Sequence, residues 1–319
     1  MLKKIALSVT VLVFVLAAGV YTGMEVRAKR TFEAPYPAIA ASTDPDVIAR
    51  GKYLVYGPAA CAYCHVPKEQ WKQLDAGAVL PLSGNHVFRL PLGELFSSNL
   101  TSDAETGIGR RSDQELARVL RHAVRADGRA AVPLMEYQGL TDEDLTAVIS
   151  FLRTGTPVTQ RVPDHRLTML GKAVFAFAYT PEGPAQAPPA KSPAGPSIER
   201  GEYLANKVSA CVSCHTDRGG DGALVGPRFA GGQRMDVAAD SSIVYVSANL
   251  TPDPRTSLVG RSTEESFIAR FKVGEMLEGT PMPWGAYSRM TDDDLRSVFR
   301  YLRTLPPVAH DTSPARQRK

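Results

Sequence analysis

The pentapeptide Cys61-Ala62-Tyr63-Cys64-His65 has a second copy, Cys211-Val212-Ser213-Cys214-His215, 150 residues further on. The two copies use all four cysteines of a 319-residue chain. The same offset recurs well away from them. Arg50-Gly51-Lys52-Tyr53-Leu54 matches Arg200-Gly201-Glu202-Tyr203-Leu204, and Asn99-Leu100-Thr101 matches Asn249-Leu250-Thr251. Thr141-Asp142-Glu143-Asp144-Leu145 matches Thr291-Asp292-Asp293-Asp294-Leu295, and Arg153-Thr154 matches Arg303-Thr304. An offset held across so many positions reads as a tandem duplication. Whatever one copy folds into, the other must repeat, and each copy is long enough for its own core.

Two thiols three positions apart can add to the two vinyl groups of one porphyrin, and the adjacent histidine can then ligate its iron. Cys61, Cys64, Cys211 and Cys214 are therefore expected to hold two covalently bound haem c groups, with His65 and His215 as iron ligands. A disulfide or a zinc knuckle is the bland alternative for the cysteines. What fills the second axial position decides between electron transfer and catalysis. Methionine sulfur favours ferrous iron and raises the potential. In the second copy the candidate is Met282, in Gly279-Thr280-Pro281-Met282-Pro283-Trp284, where flanking prolines stiffen the loop. Met235, Met276 and Met290 are the other local methionines, and packing is the expected task of the last two. In the first copy the candidate is Met135, the only methionine between Cys61 and Met169. Strict register would set Met282 opposite Val132, so this loop carries a three-residue shift. His86 and His122 compete with Met135 for that iron, whereas His165 and His310 read as structural. Trp71, Trp284, Tyr137 and Tyr287 are candidates for packing on porphyrin edges.

Lys3-Lys4 precedes an almost unbroken apolar run from Ile5 to Tyr21, which implies export as an uncleaved anchor or a cleaved signal. The length of the run and the absence of a clean cleavage site after it favour the anchor. Covalent haem attachment agrees with an oxidising compartment outside the cytoplasm. Residues 1–30 are thus a signal or anchor and 31–44 an extended stalk. Residues 45–160 and 197–310 are two haem domains. Between them, 161–196 is a connecting segment that includes an apolar stretch, Leu167 to Tyr179. It ends in a linker with six prolines between Pro181 and Pro196. Residues 311–319 form a basic tail that at most lies near an acidic surface. Asp46 and Ser197 are expected to cap the opening helices, and Thr141 and Thr291 the closing ones, which stop before Pro157 and Pro306. A net charge of +4 is too mild to suggest nucleic acid, and no basic patch is interleaved with aromatics.

The two C-x-x-C-H words, the Asn-Leu-Thr segments, Glu105-Thr106-Gly107-Ile108-Gly109, the two methionine loops and the Thr-Asp-x-Asp-Leu helices together resemble a dihaem c-type cytochrome. The kind is class I, cytochrome c-like, similar to the cytochrome subunits that accept electrons from periplasmic dehydrogenases. That resemblance implies an all-α fold of two tandem haem domains, with Gly51 and Gly201 at close helix crossings beside Phe151 and Tyr301. It further implies a non-enzymatic electron carrier on the periplasmic side of the inner membrane, or soluble in the periplasm if the N-terminal segment is cleaved. Its donor would be a dehydrogenase and its acceptor a cytochrome or oxidase. A dihaem cytochrome c peroxidase is the alternative, with His86 as a displaceable ligand. The register held by the duplication and the Met135 loop of the first copy speak against such a division of labour. No phosphate loop, zinc-protease word or nucleophile elbow suggests another active site.

Overall fold

The computed structural model describes residues 2–220, 222–236 and 242–318. It is mainly helical, and both copies of the repeat are built on one frame. An opening helix leads into each cysteine word, Pro45–Tyr56 in the first copy and Ile198–Tyr203 in the second, the latter running on as a π-helical turn, Leu204–Val208. The closing helices, Asp142–Arg153 and Asp292–Thr304, pack across the opening ones. Thr141 Oγ1 and Thr291 Oγ1 accept from Asp144 N and Asp294 N at 3.2 and 3.1 Å, as the Thr-Asp-x-Asp-Leu words predict. Three acidic residues follow each cap and face the positive end of the helix dipole. Ser197 caps its helix through Arg200 N at 3.1 Å. Asp46 does not cap the first. Pro45 takes the first helical position, where its missing N–H costs nothing, so the cap moves back to Asp44, which accepts from Asp46 N at 2.9 Å.

Glycine is required at the two crossings. A Cβ on Gly51 would fall inside the Ala147 carbonyl and press on Phe151, and one on Gly201 would do the same to Ser297 and Tyr301. We expect Gly51→Ala and Gly201→Ala each to cost about 1–3 kcal/mol through overpacking. A denaturant midpoint unchanged by either substitution would contradict this close approach.

The all-α expectation needs correction, because the chain also forms two small antiparallel sheets. The hairpin Val87–Leu90 and Gly93–Phe96 is joined by Arg166–Leu167, and the hairpin Arg234–Asp236 and Ile243–Val246 by Arg316–Arg318. The hairpin strands run three or four residues, and their partners lie beyond the closing helices. Pairing so short and so distant leaves no periodic signal. The basic tail is therefore a sheet edge, with Arg316–Arg318 paired to Ile243–Tyr245 rather than free; Lys319 lies outside the described residues.

Between the copies the contacts are reciprocal. Arg50 Nε donates to Asp144 Oδ1 at 2.9 Å, and Tyr203 Oη from the other copy donates to Asp144 Oδ2 at 2.8 Å. Arg200 Nε donates to Asp294 Oδ1 at 2.9 Å, and Tyr53 Oη donates to Asp294 Oδ2 at 2.6 Å. Each tyrosine oxygen also accepts from the backbone N–H of the facing cap, Thr141 or Thr291, at 3.1 Å. Burial and the adjacent Asp144 push the Tyr203 hydroxyl up to about 12, so it stays a donor. The proline-rich segment is pinned to this interface. Pro189 O and Ala190 O accept from Asp142 N and Glu143 N at 3.2 and 2.9 Å, and Ser192 Oγ donates to Asp144 at 2.7 Å.

At the N-terminus a 26-residue helix, Leu2–Arg27, has a mean hydropathy of 2.3 in its most apolar window and no burial there. It is long and apolar enough to cross a membrane. Its last turns pack on the rest of the chain, where Met24 is buried.

Candidate functional site

Each cysteine word begins with a forced turn. Ala60 and Ala210 adopt the left-handed region at φ 51° and 46°, and a short helical turn follows, Cys61–His65 or Cys211–Cys214. That conformation is costly for a residue with a Cβ, yet it occurs at the same place in both copies. In a helical turn the first, fourth and fifth residues share a face, which sets both thiols and the imidazole of a word on one side. The four cysteines form no disulfide. Burial pushes the Cys61 and Cys211 thiols up to about 12 and Cys64 to about 11, so they are neutral rather than a thiolate redox pair.

The histidines are oriented from behind. His65 Nδ1 lies 2.8 Å from Ser98 O, and His215 Nδ1 lies 2.7 Å from Ala248 O. A carbonyl can only accept, so Nδ1 carries the proton and Nε2 keeps its lone pair for a metal. Burial lowers the affinity of both rings for a second proton and keeps them in the neutral, ligating form. The next residue holds each carbonyl in place. Asn99 Nδ2 donates to Val158 O at 2.8 Å while Asn99 Oδ1 accepts from Thr101 N at 2.9 Å, and Asn249 does the same with Val308 O and Thr251 N at the same distances. The Asn-Leu-Thr words thus clamp the chain beyond each closing helix against the loop that aims the histidine. Nothing in the sequence alone assigns that role, although the shared offset marks the residues.

Met135 and Met282 are both half-buried, and Met282 packs against the core. Their loops are tied to the cysteine words by a matched pair of bonds. Tyr137 Oη donates to Ala59 O at 2.5 Å and Tyr287 Oη to Ser209 O at 2.9 Å. The three-residue shift therefore lies between methionine and tyrosine, two residues in the first copy and five in the second. The tyrosines, expected as porphyrin packing, also anchor these loops. His86 lies on the carbonyl side of His65: its backbone pairs with Ser97, which precedes the Ser98 acceptor, and its ring stacks on Trp71 at 5.1 Å. Its Nδ1 is buried without a partner. His122 ends the helix Asp113–His122 and abuts Gly183. His165 Nδ1 accepts from Phe96 N at 3.2 Å and His310 Nδ1 meets Ala230 O at 3.0 Å, both packing roles. Trp284 stacks under Arg270 at 3.7 Å and beside Phe271.

The two sites face each other. Glu136, next to Met135, accepts from Ser213 Oγ inside the second cysteine word and pairs with Arg218 at 3.4 Å. From the other side Arg289 donates to Leu74 O and to Ala78 O, and a Cβ on Gly285 would strike Tyr63 and Asp75 of the first copy.

Two free thiols and one imidazole lone pair on a single face fit a covalently attached haem. Among the described residues no three His, Cys, Asp or Glu side chains gather as the all-protein cage that a zinc site needs. This donor set is the one that c-type cytochromes present to haem. The chain is a homologue of cytochrome c subunits of dehydrogenases and of a dihaem c-type cytochrome, at 24–31% identity over most of its length. It is 30% identical over 290 residues to the cytochrome c subunit of the quinone alcohol dehydrogenase of Gluconobacter oxydans, covering 85% of this chain and 57% of that one. To the fructose dehydrogenase cytochrome subunit of Gluconobacter japonicus it is 26% identical, covering 90% and 57%. To a diheme cytochrome c-type protein of Cereibacter sphaeroides it is 24% identical, covering 83% and 90%. The chain thus spans under three-fifths of the first two relatives. No family model matches it.

Proposed function

We propose that this chain is an exported dihaem c-type cytochrome that relays electrons from a periplasmic dehydrogenase to a downstream cytochrome or oxidase, and that it catalyses no substrate chemistry itself. The observation that carries this reading is the matched His–carbonyl–Asn arrangement behind both cysteine words. Residues 45–160 and 197–310 are the two haem domains. Cys61 and Cys64 hold one haem c covalently and Cys211 and Cys214 the other, with His65 and Met135, and His215 and Met282, as axial ligands. Bound haem supplies reversible one-electron exchange at its iron. The chain keeps His65 and His215 neutral and aimed, ties the methionine loops to the words through Tyr137 and Tyr287, and fixes the distance between the sites through its reciprocal interface. The N-terminal helix anchors the protein on the periplasmic side of the inner membrane. The named roles of the relatives support a dehydrogenase as donor.

Absorption and low-temperature EPR spectra of the oxidised protein test the ligand assignment. The expected result is two low-spin His/Met haems, one lost in Met135→Ala and the other in Met282→Ala. A bis-histidine signal that survives Met135→Ala would replace Met135 with His86.

A further inference from the structure

Among the described residues, Met169–Ala178 is the one short apolar helix, and neither the cofactor sites nor the interface between the copies uses it. It is a helical turn, Met169–Ala173, continued by a π-helical one, Val174–Ala178. Phe175 and Ala176 are buried, while Met169, Leu170 and Phe177 are 57, 55 and 64% exposed. Leu170 in the first turn and Phe177 in the π-helical one both point away from the core.

The buried side is fastened to the last turns of the N-terminal helix. Arg27 Nε donates to Ala176 O at 3.0 Å and Arg30 to Tyr179 O at 2.8 Å, closing the carbonyl end of the segment. Lys172 donates to Tyr21 Oη at 2.9 Å and pairs with Glu25. The Arg27 guanidinium sits 5.4 Å from the Phe177 ring, which sets Phe177 level with the end of that helix. Val20 and Val26, on the same last turns, are 71 and 70% exposed.

Depth follows from length. Twenty-six residues rise about 39 Å, against a hydrocarbon core of about 30 Å. The apolar run from Ile5 to Tyr21 rises about 25 Å, so the helix leaves the core within a turn of Tyr21, and Glu25 to Arg27, with the segment fastened to them, lie among the headgroups. The basic side chains at this depth, Arg27, Lys29 and Arg30, can reach headgroup phosphates.

We propose that Met169–Ala178 is an interfacial helix that lies on the bilayer, with Met169, Leu170 and Phe177 reaching the acyl boundary. The inference rests on the reading of Leu2–Arg27 as a membrane anchor. It gives the anchor a second foot, and with residues 31–42 bonded along the first copy of the repeat it holds that copy at a set height above the membrane.

The test uses the full haem-loaded chain in phospholipid nanodiscs, carrying either Phe177→Cys or Val273→Cys. Val273 is 66% exposed on the second copy, at the end of the helix Glu264–Val273. Each thiol is titrated with a charged maleimide and with a lipid-soluble one, and the parent chain gives the background. The Phe177→Cys thiol is expected to react with the charged reagent about tenfold or more slower than the Val273→Cys thiol, and no slower with the lipid-soluble one. Equal rates with the charged reagent overturn the proposal, because the segment then stands in water. Slow reaction with both reagents also overturns it, because protein then covers the face. A chain that fails to enter the discs overturns the anchor together with the inference.

Discussion

Asp294→Asn and Asp144→Asn each lower the free energy of unfolding by about 3–5 kcal/mol, the cost of leaving one charge of a buried pair without its partner. The Arg200–Asp294 pair is the more enclosed, with side chains 7 and 9% exposed, so the larger loss is expected there. Arg50 is 27% exposed and can recover some hydration once Asp144 is neutralised. Either substitution also leaves one amide oxygen where two carboxylate oxygens now serve the arginine and the tyrosine of the other copy. Urea unfolding followed by circular dichroism measures the effect, and a loss below about 1 kcal/mol, the level of a surface pair, would refute it. The acid limb tests the Asp144 site. Burial alone would raise the Asp144 carboxyl, but the bonds from Arg50, Ser192 and Tyr203 bring it below its ordinary 3.8. A carboxyl lowered in the folded state contributes stability in full above 3.8 and loses it as pH falls toward the depressed value. The parent protein and Asp144→Asn are therefore expected to converge in stability as the pH drops below that point.

Asn249→Ala is expected to cost about 1–3 kcal/mol, since it leaves the Thr251 N–H without its acceptor and takes from the Val308 carbonyl one of its donors. Asn99→Ala does the same in the first copy to Val158 and Thr101. The more telling readout is local. Each asparagine follows the residue whose carbonyl aims a histidine, so Asn249→Ala should shift the EPR g-values of the second haem and leave the first untouched, with the converse for Asn99→Ala. Stability loss with both haem signals unchanged would reduce the asparagines to plain braces.

Much of the frame is legible in the residues. Thr141 and Thr291 announce their helices by side chain and first-turn charge, whereas the crossings at Gly51 and Gly201 come from the resemblance, and the collision a Cβ would meet there is visible only in the fold. The cysteine words carry their chemistry in their spacing. The sheets are not legible, since Arg166–Leu167 and Arg316–Arg318 acquire strand geometry only from hairpins more than sixty residues away. Asp46 competes with Asp44 on equal terms by residue type, and only the constraint imposed by Pro45 decides between them. Tyr137 and Tyr287 offer a flat face and a hydroxyl, and sequence alone does not say that the hydroxyl tethers a loop. The proline-rich segment is a linker by composition, yet its carbonyls happen to meet the open N–H groups of a helix start.

The swapped tyrosines bind two of the matched words of each copy to the other. Arg50, Tyr53, Thr141 and Asp144, with Arg200, Tyr203, Thr291 and Asp294, lie in two of the matched words, and each copy needs the other's tyrosine to complete its ion pair. A change in one copy is felt at once in its twin, so these positions cannot drift independently.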